Sequence, residues 1–494
     1  FRTPQTFAFK LSPNGDHIAY MKRRDSGERD LYLMDTETKK ESLLKKQEQD
    51  LIRGFSWAND ERILYLQDKG GDENYHVYGV DINGANDKEL TPFEGVRVNI
   101  IESLKEDKEH IIIQMNKDNP QQEEPYRLNI NSGEITKLYT VKEGEPPVAG
   151  YDFDREGNLR AISRIVDGVN TELLYKIDGE FKLVKLTEFG DEFGISSFNP
   201  GSANPDDAYV ISNLEGDKIE IQLYDLKKNK KIKTVFSNDT YDVSGMALSK
   251  KRNYEIDYFS YTGEKTQIIP VSDTYKKIYN RLKQEFGDKQ FFTVGRTDDE
   301  SKYMIAVTSD KIVGEYYLYD VEADEVSLLY KLLPHLKEED MASMKPITFK
   351  SRDGLTLHGY ITLPHNYQEG MQVPLVVNPH GGPQGIRDSW GFNPEAQLFA
   401  SRGYATLHVN FRISGGYGKE FLKAGFGEIG RKAMDDVEDG VDYVIEQGWV
   451  DKDRIAIYGG SHGGYAVLRG MTKTPEKYAC GVDYVGVSNL NTFM

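Results

Sequence analysis

The chain has 494 residues, with 80 acidic against 62 basic side chains and a net charge of -18, so it is long enough for two domains with separate cores. A surface this acidic repels phosphate backbones and anionic lipid, which argues against nucleic acid and membrane as partners, and no apolar run reaches the length of a membrane span. A single cysteine, Cys480, rules out an internal disulfide; its expected place is as a small buried residue in a strand.

From the start to residue 333 the sequence reads as a repeat of short strands. Segments at 31–35 (LYLMD), 77–81 (VYGVD), 126–130 (YRLNI), 173–177 (LLYKI), 221–225 (IQLYD), 268–272 (IIPVS) and 316–320 (YYLYD) recur at intervals of 46 to 49 residues, the mark of an internal repeat. An earlier strand follows a polar turn, as at 17–20, 62–65 and 303–306. Seven units of four strands predict an all-β seven-bladed β-propeller over residues 1–333. With no polar capping unit at either end, closure into a ring is favoured over a sandwich array or an open solenoid. The sixth unit is irregular, because 275–282 (YKKIYNRL) reads as helix. The default role of the aromatic residues in these strands is packing between blades.

Two features of this half have plain readings. The lysines at 227, 228, 230, 231 and 233 fall where a solvated hairpin turn is expected. Asp81-Ile82-Asn83-Gly84 has the start of a calcium loop without its later ligands, so it too reads as a turn. The nine histidines have no metal-ligand spacing, and neither metal nor cofactor is expected.

After Pro334 the pattern changes. Strands at 347–349 and 355–360 flank the turn Arg352-Asp353-Gly354, followed by the apolar run Leu375-Val376-Val377, a helix around 394–401 and a strand at 405–410. Met434, Val437, Val441, Val444 and Ile445 then recur at helical spacing, and a strand at 455–458 precedes a further helix. Alternating β and α elements predict a parallel sheet wrapped by helices, an α/β-hydrolase domain over 334–494, with its site at the carboxyl ends of the strands.

That last strand runs into Gly459-Gly460-Ser461-His462-Gly463. Gly-x-Ser-x-Gly between a strand and a helix is a nucleophile elbow: the sharp turn lifts the serine hydroxyl above the sheet, and glycines two residues before and after let strand and helix approach. Ser461 is the candidate nucleophile. The backbone N–H of His462, at the start of the helix, points to where an oxyanion would form. About eighty residues upstream, His380-Gly381-Gly382-Pro383 follows the apolar run, where the fold supplies its second oxyanion donor. His380 is expected to shape that loop.

A propeller followed by 380–392 (HGGPQGIRDSWGF), 410–418 (NFRISGGYG) and 459–466 (GGSHGGYA) resembles the prolyl oligopeptidase family of serine peptidases, its acylaminoacyl-peptidase-like branch above all. The resemblance covers essentially the whole chain. It implies hydrolysis of short peptides in a site enclosed between propeller and hydrolase domain, with Ser461 as nucleophile, the N–H groups of His462 and Gly382 as the oxyanion hole, and Val487 and Leu490 lining the substrate pocket. One departure is Ile413, where the family usually has glycine.

A serine needs a base, and in this fold the order is Ser, then Asp or Glu, then His. After Ser461 the only histidine is His462 and the only aspartate is Asp483. The His462 side chain should leave the elbow on the far side from the hydroxyl, and Asp483 sits in an apolar strand context. The resemblance implies that the triad Asp and His lie beyond Met494, so that this chain alone is an inactive, C-terminally truncated fragment. Two other readings remain at this point: a non-catalytic propeller protein that binds a partner, and an esterase for small acyl esters. Residue specificity, oligomeric state (a homo-oligomer included) and compartment, cytoplasmic or exported, are left open, since the sequence begins at Phe1 without an initiating methionine.

Overall fold

A computed structural model describes residues 2–104 and 106–490. The stretch Asn491 to Met494, beyond which the acid and base are expected, lies outside the described residues.

Seven antiparallel sheets follow one another along the first two thirds of the chain, each built from strands consecutive in sequence. Together they form the expected seven-bladed β-propeller. The repeated segments are the third strand of each blade, as in Arg29–Asp35, His76–Asp81 and Glu315–Asp320. The period is visible because this strand has blades packed on both sides: Leu31, Val77, Leu128, Tyr175 and Ile221 are all buried, and burial on both faces selects apolar residues at fixed register.

Blade six departs from four strands. Its sheet has three, Val243–Ser249, Glu255–Thr262 and Thr266–Pro270, and the helix Asp273–Phe286 follows in place of an outer strand. Ser272 caps this helix by accepting from the Tyr275 N–H, and Tyr275, Ile278, Leu282 and Phe286 form its buried stripe. Ile278, Leu282 and Phe286 pack into one cluster with Phe291, Tyr303 and Ile305 of blade seven, so the apolar face of the helix is buried between the two blades.

Among the described residues no strand is exchanged between the first and last blades, so the ring closes mainly through side chains. Phe9 of the first blade packs on Tyr316 and Tyr330 of the seventh, with ring centroids 4.7 and 5.1 Å apart, in a cluster with Leu11, Tyr20, Met304 and Leu318. One backbone bond, from the Asp298 N–H to the Pro13 carbonyl at 2.8 Å, joins the same blades.

The remaining sheet is six-stranded in the order Met344–Lys350, Thr356–Thr362, Ala405–Asn410, Val373–Val377, Val450–Gly460, Cys480–Tyr484. Its first three strands pair antiparallel and the rest parallel. The helix Pro394–Ala400 starts at Asn393, whose side chain accepts from the Ala396 N–H; the long helix Lys432–Glu446 buries Met434, Val437, Val441 and Val444 against the sheet. From Val373–Val377 the chain moves to one side, to Ala405–Asn410, and then to the other, to Val450–Gly460, which makes the carboxyl end of Val373–Val377 the switch point where a crevice opens. Cys480 departs from expectation: it is exposed, because among the described residues Cys480–Tyr484 pairs on one side only.

The two parts meet where the propeller presents the turns between its second and third strands and between its blades. Asp242 accepts from the Gly418 N–H at 3.0 Å, Asp217 from the Glu420 N–H at 2.8 Å, and Asp191 pairs with Lys423 at 2.8 Å.

Ring closure through side chains makes a direct prediction. Phe9→Ala removes a buried ring at the seam between the first and last blades, and should cost about 3 to 5 kcal/mol. Urea unfolding would register this as a lower midpoint of the propeller transition, together with faster proteolysis of the first blade.

Candidate active site

Ser461 lies at the end of strand Val450–Gly460 and caps the helix His462–Lys473, with φ 55° and ψ -120°. A non-glycine residue held there costs about 1 to 3 kcal/mol, and the surroundings enforce it. A Cβ on Gly459 would sit 2.6 Å from the backbone of Gly463, and one on Gly463 would collide with the Pro379 carbonyl. The Ser461 N–H donates to the Tyr484 carbonyl and its own carbonyl accepts from Tyr465 N–H, each at 3.0 Å. Strand, turn and helix are thereby fixed, and the serine is left exposed.

The second Gly-rich stretch arrives at the same point. A Cβ built on Gly381 would lie 3.6 Å from the Ser461 Cβ and 3.2 Å from the Gly460 carbonyl. Asn378 ties the two strand ends together by donating to the Tyr458 carbonyl at 3.0 Å. Gly382 turns with φ 77°, and a side chain there would strike Ile386. Ser461, His462 and Gly381–Gly382, far apart in sequence, thus form one cluster at the switch point.

The histidines of this region are occupied in other ways. The His462 ring is buried, packs on Phe411 and Tyr465 at 5.4 and 5.8 Å, and has no partner for either nitrogen among the described residues; burial pushes it down to about 4 and so keeps it neutral. The His380 ring stacks on Phe411 at 4.4 Å with Nε2 3.0 Å from Ser414 Oγ, and burial lowers it as well. It shapes the loop. His408, fully buried, faces Asn378 Oδ1 at 3.1 Å, and its pKa falls to about 4.

Val487 and Leu490 are half-buried. Leu490 Cδ1 approaches Gly430, beside Tyr465, while Val487 follows Gly486, whose backbone packs against Gly464 in the first turn of the helix. Leu490 and the backbone just before Val487 therefore belong to the shell around the elbow helix. Ile413 proves informative: it is buried and has φ 81°, a conformation that favours glycine, so a β-branched residue is held there in a strained position. The role of Arg387 carries no signal in the sequence, because the carbonyls of Thr262 and Gly263 that accept from it are main-chain groups distant along the chain.

A strained, exposed serine on a strand-to-helix turn, faced by a glycine loop in a domain docked to a propeller, defines a propeller-bearing α/β-hydrolase of the serine type. A sequence model described as the Prolyl oligopeptidase family matches residues 390–494. Dipeptidyl aminopeptidase BIII of Pseudoxanthomonas mexicana is 30% identical over all of this chain and 72% of its own length. The acylamino-acid-releasing enzyme of Sus scrofa is 34% identical over 28% of this chain and 19% of its own. A puromycin-hydrolyzing peptidase of Mycobacterium tuberculosis superposes with a TM-score of 0.72 at 17% identity, covering 99% of this chain and 79% of that one. The chain belongs to the prolyl oligopeptidase family of serine peptidases.

The buried imidazoles carry a pH signature. His408 has a folded pKa of about 4 against 6.5 in the open, so below 6.5 the unfolded chain binds a proton that the folded chain refuses, and stability falls as pH drops from 6.5 towards 4. The slope from this group is about 1.4 kcal/mol per pH unit. Asp388, pushed up to about 6 by burial, acts in the opposite sense, so the test is a difference: His408→Gln should flatten the acid limb of a stability-against-pH curve by that slope.

Proposed function

We propose that the protein at its natural length is a serine peptidase that hydrolyses short peptides through an acyl-enzyme on Ser461. The observation that carries this reading is the cluster of a left-handed, exposed Ser461 with Gly381 packed beside it. Ser461 Oγ attacks the scissile carbonyl and gives its proton to a histidine. The N–H groups of His462 and Gly382 hold the oxyanion, the C–N bond breaks, the amine leaves with that proton, and water then frees the acyl group by the reverse sequence. Short peptides are favoured on the reading that the propeller, docked to the hydrolase domain through Asp217 and Asp242, limits what can reach the crevice. The relative named a dipeptidyl aminopeptidase and the neighbour named a puromycin-hydrolyzing peptidase support a small amide as substrate. Val487 and Leu490 are proposed to border the pocket.

The acid and base are proposed to come from outside the described residues, on the C-terminal side, since His462, His380 and His408 are buried in packing or bound to other groups. Residues 1–494 alone are then inactive. Fluorophosphonate labelling with mass-spectrometric mapping tests both statements. Ser461 should be modified in the natural-length protein, should lose modification in Ser461→Ala with turnover down about 10⁶-fold, and should stay unmodified in residues 1–494 alone. A natural-length protein that never labels would make the elbow structural and the molecule a binding protein. Normal turnover by residues 1–494 would overturn the external base.

A further inference from the structure

Gly382 sits in a loop fastened at several points. The Gly385 N–H donates to the Ile413 carbonyl at 3.0 Å and the Gly415 N–H to the Ile386 carbonyl at 3.1 Å, so the loop runs beside 411–416. The Ile386 side chain fills the space next to Gly382, where a Cβ would be 2.7 Å from its Cγ1. All of these contacts stay within the hydrolase domain.

The next residue does not. The Arg387 guanidinium donates through Nη1 to the Thr262 carbonyl at 2.9 Å and through Nη2 to the Gly263 carbonyl at 3.0 Å. Both carbonyls lie in the turn between the last two strands of blade six, Glu255–Thr262 and Thr266–Pro270. Its face covers the Tyr417 ring, 4.3 Å from the centroid, and Nε returns to the Asp388 carbonyl at 3.2 Å. Asp388 is held in turn by Asn410, which accepts from its N–H at 2.7 Å and donates to its carbonyl at 3.0 Å. A planar fork on two main-chain carbonyls fixes both distance and direction, which a single flexible ammonium does not.

We propose that Arg387 is a positioning residue for the oxyanion loop: it ties the loop carrying Gly382 to blade six, so that the donor reaches its working position only when propeller and hydrolase domain are docked. This rests on the reading of Ser461 and Gly382 given above. The contact has a counterpart for comparison, since Lys423 reaches Asp191 across the same interface at 2.8 Å from a helix that does not carry the loop. An oxyanion donor displaced by about 1 Å costs up to a hundredfold in rate while leaving ground-state binding nearly intact.

The test uses the natural-length protein as wild type, Arg387→Met, Arg387→Lys and Lys423→Met. It measures the rate of fluorophosphonate modification at Ser461, kcat and KM on a dipeptidyl chromogenic amide, and the unfolding midpoint. Arg387→Met should lower kcat and the modification rate about tenfold to a hundredfold with KM within about threefold of wild type; Arg387→Lys should recover part of the loss, and Lys423→Met should keep wild-type kcat. Wild-type kcat in Arg387→Met, or an equal loss in Lys423→Met, overturns the proposal. Should Arg387→Met fail to fold, Arg387→Lys decides: an intermediate kcat supports the proposal and wild-type kcat overturns it. A wild-type protein that never labels at Ser461 fails before any substitution, which removes the site reading itself and this inference with it.

Discussion

The structure around the candidate site depends on an absence of β-carbons where strand Val450–Gly460 turns into the helix His462–Lys473. Gly459 faces the backbone of Gly463, Gly463 faces the Pro379 carbonyl, and Gly464 faces Gly486. Each is a backbone-to-backbone approach that no side chain can share. With these contacts made, the serine between them has no relaxed conformation open to it, and its hydroxyl is carried clear of the sheet. The same closeness brings the 380–382 loop against the turn, so exposure of Ser461 and its nearness to Gly381 have one cause.

Around that point the strain is distributed. Ser461 and Ile413 both hold positive φ without being glycine, and each is enforced by dense packing: Ile413 is buried between Gly425 and Phe421, whose carbonyl accepts from its N–H at 3.2 Å. Arg412 beside it is buried with Asp436, Nε to Oδ2 at 2.8 Å, and reaches Asp353 at 2.8 Å. A charged group enclosed in this way contributes little net stability but resists rearrangement, because removing one partner leaves a buried charge. The loop that faces the elbow is thus set on a rigid base, while its outer end rests on the propeller.

Much of this was legible in the sequence, for physical reasons that differ by element. Third strands repeat because packing between blades demands apolar residues at one register, so Leu31 and Ile221 announce themselves. The elbow is legible because close approach demands glycine at fixed offsets. Blade six shows its irregularity at 275–282, because the helical spacing of Tyr275, Ile278 and Leu282 cannot be read as a strand, and the structure places the helix Asp273–Phe286 there. Cys480 misleads because burial follows from neighbours across the sheet, which its own segment does not encode. Arg387 was silent for a related reason: its partners are the carbonyls of Thr262 and Gly263, and main-chain acceptors leave no mark on residue identity. Val487 and Leu490 could be placed near the elbow helix, but which way a half-buried residue faces is set by tertiary contacts alone.

On the proposed reading, Ser461, His462 and Gly382 form one catalytic surface. The most direct test of that reading is a crystal structure of the natural-length protein with a peptide boronate. Boron should be bonded to Ser461 Oγ, with one boronate oxygen about 2.7 to 3.1 Å from both the His462 and Gly382 nitrogens. Boron on another residue, or on Ser461 with that oxygen turned towards solvent, would contradict it.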